Sequence, residues 1–182
     1  MAKLDSFFIP DCVLWNLGTS VQNKPLDALA ISPGRALGIP LISNKPSPAP
    51  SGLNWILLLA GVHGDEVEGI WLMEHLRSSL SALFPFKKVG VIIWAVVNPD
   101  GYVNLERWNA NQVDLNRNLP TTDWSAEVKN PRYPPGRASA SEPETRALIH
   151  LIDSIQPKAI LSAHSYEKPQ VNINGPALEW GS

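Results

Sequence analysis

Three stretches of this chain are apolar almost without interruption: Trp55-Ile56-Leu57-Leu58-Leu59-Ala60, Val89-Gly90-Val91-Ile92-Ile93-Trp94-Ala95-Val96-Val97 and Lys158-Ala159-Ile160-Leu161-Ser162-Ala163. A strand with one face in water alternates apolar and polar residues. A continuous run is what a strand needs when both faces are covered, as in a parallel sheet flanked by helices. The first run ends at Gly61, the second at Asn98-Pro99 and the third at His164. None of them, flanks included, is long enough to span a bilayer.

Two helical patterns lie between the runs. Residues 66–80 place Val67, Ile70, Trp71, Met73 and Leu80 in one apolar stripe. A second pattern begins at Ser141-Glu142-Pro143-Glu144, which reads as a capping box with proline in the first turn. It continues through Leu148, Ile149, Ile152 and Ile155. Upstream, residues 14–32 read as two short strands around Gln22-Asn23-Lys24-Pro25. Proline and glycine gather at 39–52 and 130–136, both short enough to be surface connections rather than domain linkers. The order strand, helix, strand, loop, helix, strand predicts an α/β fold: a mainly parallel mixed sheet with helices on both faces. At 182 residues a single domain covering 1–182 is expected. Ligands bind such sheets at the carboxyl ends of strands, so the residues following the apolar runs are where chemistry is expected.

Composition removes several function classes. Hydrophobic residues make up 44% and charged residues 18%, which excludes a disordered chain. The net charge of −2, with no basic cluster, argues against a nucleic-acid partner. Cys12 is the only cysteine, so neither a disulfide framework nor a cysteine-based zinc site is available. The first ten residues lack the apolar run of a signal peptide. The expectation is a soluble, cytoplasmic protein without a membrane partner.

Directly after the first apolar run comes Gly61-Val62-His63-Gly64-Asp65-Glu66, and directly after the third comes His164. Two imidazoles and one carboxylate, with a position left open for water, make a catalytic type of zinc site. The open position matters because such a metal acidifies water and polarises a carbonyl. Taken alone, His63 and Glu66 also suit a helix-initiating glutamate beside a surface histidine. Other candidates have plain readings. Asp100 reads as a turn residue, and Asp65 as a turn or helix-start residue or a partner of a metal ligand. His75 and His150 read as helix-surface or packing residues. Glu142 and Glu144 read as stabilising a helix N-terminus. Trp108 reads as loop packing or a wall of a substrate cleft.

Between the two halves of the metal set lie Asn98-Pro99-Asp100-Gly101-Tyr102, Arg107-Trp108-Asn109 and Val113-Asp114-Leu115-Asn116-Arg117-Asn118. Together with His63, Glu66 and His164, this ordered series resembles the zinc carboxypeptidase family, and within it the bacterial murein peptide amidases. Gly18-Thr19-Ser20 to Lys24-Pro25-Leu26 resembles the family's entry hairpin. Tyr133-Pro134-Pro135-Gly136 followed by Ser141-Glu142-Pro143-Glu144-Thr145-Arg146 resembles the amidase-like branch. The resemblance implies one zinc ion held by His63, Glu66 and His164. It implies that Arg107 steadies the oxyanion, that Asn116 and Arg117 grip a substrate carboxylate, and that Asp114 orients His63.

The function implied is zinc-dependent hydrolysis of an amide bond in a small peptide with a free terminal carboxylate, a murein peptide of the γ-D-glutamyl-diaminopimelate type. Two alternatives stay open. One is an N-acyl amino acid deacylase of the aspartoacylase or succinylglutamate desuccinylase type, which shares the His-x-x-Glu and distant His plan. The other is a non-catalytic zinc- or peptide-binding domain. In the family a glutamate on a later strand acts as general base, and nothing between His164 and Ser182 matches its motif. Glu167 and Glu179 are carboxylates by type only, so the general base is unknown. The resemblance also implies a sheet without the family's C-terminal strands, whose apolar edge invites self-association.

Overall fold

Alternation hidden within the apolar runs decides which face of the sheet each side chain takes. In a computed structural model, which describes residues 11–32, 52–83 and 88–165, the elements follow in the order β1 (Asp11–Thr19), β2 (Pro25–Ser32), β3 (Asn54–Leu59), α1 (Val67–Leu83), β4 (Val89–Trp94), α2 (Pro99–Asn104), α3 (Pro143–Ile155) and β5 (Ala159–Ser162), with a 3-10 turn at Leu115–Arg117 between α2 and α3. The strands form one five-stranded sheet ordered β1-β2-β4-β3-β5. β4, β3 and β5 run parallel, and β2 pairs antiparallel with both β1 and β4. Four strands therefore share one direction, as the α/β reading requires.

Trp55, Leu57 and Leu59 of β3, Ile92 and Trp94 of β4 and Leu26, Ala28 and Ala30 of β2 turn to one face, where Leu148, Leu151 and Ile155 of α3 cover them. Leu29, Ile31, Val91 and Ile93 turn to the other face, against Ile70 and Met73 of α1. This period-two division explains the continuous runs: each strand feeds two cores at once. Among the described residues no helix is long and apolar enough to cross a membrane.

Four expectations need correction. Among the described residues the third run is not covered on both faces: β5 is the outer strand of the sheet, and Ile160 is 46% and Leu161 54% exposed. Trp71 does not join the core stripe of α1 but is 71% exposed and stacks on His75. Ile70 and Met73 already define the buried face, and the next residue after Ile70 lies about 100° round the helix. The capping box at 141–144 does not form. Glu142 is the N-cap and makes no capping bond with its side chain, while Ser141 Oγ donates to the Glu142 carboxylate instead. Asn98-Pro99-Asp100-Gly101 is more than a turn. It starts α2, with Asn98 accepting from the Gly101 N–H at 2.9 Å and proline in the first turn. The 39–52 connection lies outside the described residues except for Gly52.

Candidate metal centre

The site begins with a turn that only glycine permits. Gly61 leaves β3 at φ +60°, and a Cβ on Gly64 would sit 2.0 Å from the Gly101 backbone carbon. The loop after β3 thus packs backbone to backbone on α2, fixed further by the Asn98 N–H donating to Gly61 O at 2.8 Å. His63 is held there with 2% of its surface exposed. Because β3 and β5 pair in parallel, with Leu59 opposite Ser162, the segments that follow them bring His63 and His164 to the same end of the sheet, their ring centres 4.9 Å apart.

Glu66, just before α1, reaches between the two rings. His63 Nδ1 lies 2.7 Å from its Oε1, and His164 Nδ1 lies 2.8 Å from its Oε2. The Ser165 N–H donates to Oε2 at 3.1 Å, fixing the carboxylate's rotation. One ligand atom from each of His63, Glu66 and His164 lies within 4.8 Å of the others. Zinc bonds of about 2.0–2.1 Å in a tetrahedron put donors roughly 3.3–3.4 Å apart, so this donor set fits a single ion. The far nitrogens of both rings also face oxygens. His63 Nε2 donates to Asp114 Oδ1 at 3.2 Å, and Ser162 Oγ lies 3.2 Å from His164 Nε2.

Burial alone would lower the His63 pKa, but its bonds to Asp114 and Glu66 outweigh that and hold it above its ordinary 6.5. Burial alone would raise the Glu66 carboxyl. The two imidazoles reverse the sign and hold it far below the ordinary carboxylate range. For Asp114 burial is again opposed, here by His63 and Arg107, and its pKa falls. The Glu66 and Asp114 carboxylates are thus held in their ionised form, which suits a cation.

Asp114 joins this cluster to the rest of the site. It is fully buried, accepts from Arg107 Nε at 3.0 Å through Oδ2, and caps the 3-10 turn by accepting the Asn116 N–H at 2.9 Å through Oδ1. The Arg107 guanidinium lies 3.6 Å from Glu66 Oε1. Asn116 and the exposed Arg117 follow directly in the turn. Glu66, Arg107, Asp114 and the Asn116 N–H are therefore joined by direct contacts, with Arg117 next in the turn, whereas Asp65, His75 and His150 are exposed. Glu167 and Glu179 lie outside the described residues.

Three features of this region were not legible as functional. Asp100 is fully buried and accepts from Ser20 Oγ at 2.9 Å, the Gln22 N–H at 3.0 Å and Lys24 Nζ at 2.7 Å, fastening the entry hairpin to α2. Glu142 and Glu144 do not serve α3 alone. Both accept from Asn109 Nδ2, Glu142 also from Asn111 Nδ2, and Glu144 from the Val21 N–H. Tyr133, in the Pro/Gly-rich connection, lies against both Arg107 and Arg117. In the sequence it enters only within Tyr133-Pro134-Pro135-Gly136, the stretch that resembles the amidase-like branch, with no role attached. Trp108 donates to Arg132 O at 2.8 Å and so packs that loop. His75 and His150 are exposed on their helices, as read.

A family model described as zinc carboxypeptidase matches residues 9–171, and the chain belongs to the zinc carboxypeptidase family. It is 40% identical over 143 residues to murein peptide amidase A of Escherichia coli K12, an alignment covering 72% of this chain and 57% of that protein. To murein peptide amidase A of Vibrio campbellii it is 36% identical over 132 residues, covering 66% and 50%. Among solved structures, murein-tripeptide amidase MpaA from Escherichia coli O157 matches with a TM-score of 0.60 at 30% identity, over 84% of this chain and 61% of that one. The chain thus spans 50–57% of the length of these curated relatives.

Proposed function

We propose that the chain carries the metal half of a zinc peptidase or amidase that cleaves small murein peptides ending in a free carboxylate. The convergence of His63, Glu66 and His164, with the Arg107 guanidinium 3.6 Å from the same carboxylate, carries the reading. Zinc bound by these three residues supplies Lewis acidity and an acidified water. Asp114 fixes the His63 ring through its far nitrogen and holds Arg107 by Nε, which leaves the remaining guanidinium N–H groups to face charge developing on a carbonyl oxygen. Arg117 makes no ion pair among the described residues, and its planar fork is shaped for a carboxylate. The names of the amidase relatives support the murein peptide class, and the uncommitted Arg117 supports a terminal carboxylate on the substrate.

The test is metal analysis together with hydrolysis of γ-D-glutamyl-diaminopimelate peptides by this chain and by His63→Ala. One zinc per chain, with turnover lost in the variant, is the expected result. Full activity after zinc removal would sink the proposal.

A further inference from the structure

Tyr133 lies against two guanidiniums at once: the Arg107 Cζ is 5.0 Å and the Arg117 Cζ 5.4 Å from its ring centre. The backbone on either side of the ring is anchored. The Asp114 N–H donates to Pro134 O at 2.9 Å, Asn118 Nδ2 to Pro135 O at 2.8 Å, and Trp108 Nε1 to Arg132 O at 2.8 Å. Those three donors belong to the segment that carries both arginines. The loop, the 3-10 turn and the Arg107 segment are therefore one rigid block.

An aromatic face attracts a cation without occupying its N–H donors, which lie in the guanidinium plane. A carboxylate in the same place would hold Arg117 more strongly, yet it would compete with any anionic ligand. Resting on the proposed function, we infer that Tyr133 is a positioning residue. Its ring sets the spacing of Arg107 and Arg117 so that the pair receives the terminal carboxylate and the adjoining carbonyl of one substrate.

The experiment uses the full chain, loaded with zinc, and Tyr133→Leu and Tyr133→Phe. Binding of γ-D-glutamyl-diaminopimelate is compared with binding of its amide-capped counterpart by calorimetry, and KM and kcat are measured for hydrolysis. Zinc stoichiometry and melting temperature verify the fold of each variant. Losing two cation–π contacts predicts that Tyr133→Leu binds the acid about 5- to 30-fold more weakly. Binding of the amide should hardly change, and KM should rise more than kcat falls. Tyr133→Phe, which keeps the ring, should stay within about twofold of wild type because the π face supplies the attraction. Wild-type binding by Tyr133→Leu, or a Phe variant as weak as the Leu variant, would overturn the inference while leaving the proposed function standing. A wild type that binds acid and amide equally overturns both. Preserved discrimination by wild type and Phe but not Leu, without any hydrolysis, supports the clamp and rejects the activity.

Discussion

Replacing Asp114 tests the centre of the site most directly, because one buried carboxylate serves three donors there. Asp114→Ala orphans His63 Nε2–H, the Asn116 N–H and Arg107 Nε–H. Arg107 and Asn116 are partly exposed and can turn to water, whereas His63 is 2% exposed and cannot. One fully stranded donor and two weakened charge-assisted bonds predict a stability loss of about 2–4 kcal/mol in the zinc-free protein. Removing the partner of a metal-bound histidine weakens metal binding about 10- to 100-fold, and Asp114→Ala should fall near the upper end. Asp114→Asn separates the two functions. With its amide oxygen at the Oδ1 position it keeps His63 and Asn116, but its NH₂ meets Arg107 Nε donor to donor. Zinc affinity should therefore drop only about tenfold, while turnover falls further because Arg107 is released. Zinc dissociation constants from competition with a chromophoric chelator, read beside thermal melts and kcat, measure all three effects. An Asp114→Ala protein that binds zinc as tightly as wild type would refute the reasoning and reduce Asp114 to a turn cap.

Three further outcomes follow from the buried carboxylates outside the cluster. Asp100→Ala should destabilise by about 2–3 kcal/mol in urea titrations, since it strands Ser20 and the Gln22 N–H and frees Lys24. Lys24→Met should cost less, because the lysine side chain is 30% exposed. Glu142 is held below its ordinary 4.5 because, although burial opposes it, Ser141, Asn109 and Asn111 all donate to its carboxylate. A depressed carboxylate contributes stability above the unfolded value that is lost as pH falls through the folded one. The melting-temperature gap between wild type and Glu142→Gln should therefore be full at pH 7 and close as pH drops below 4.5; a gap that persists unchanged in acid would contradict this.

The convergence of His63 and His164 was legible because it follows from strand order. Once residues 55–60 and 158–163 are read as parallel strands, whatever follows them shares one end of the sheet, and His63 and His164 do. Asp100 was not legible, because its donors lie 76 to 80 residues upstream and Asn-Pro-Asp-Gly has the composition of a simple turn. Trp71 misled for a related reason: hydrophobic periodicity records which residues suit burial but not how wide a face the sheet covers. The edge position of β5 was invisible in its own composition, since Ile160 and Leu161 are the residues of a covered strand. Tyr133 depends on Trp108, Asp114 and Asn118 pairing with the backbone of residues 132–135, and that long-range pairing has no local signature.

These contacts suggest why the site uses amides where ion pairs would be expected. Glu142 and Glu144 are both buried, and each could have been neutralised by an arginine. Their side-chain donors are instead Asn109, Asn111 and Ser141, and Asn118 ties the same segment through Pro135 and Ala138. Neutral donors satisfy a buried carboxylate without burying a second charge. Had Arg117 paired with Glu142, the platform would have gained an ion pair and lost the uncommitted guanidinium that a substrate carboxylate requires. Arg107 shows the intermediate arrangement: Nε is committed to Asp114, which sets its angle, and the guanidinium lies 3.6 Å from Glu66 Oε1. The amides thus hold the scaffold while both arginines rest against Tyr133 instead of pairing with Glu142 or Glu144.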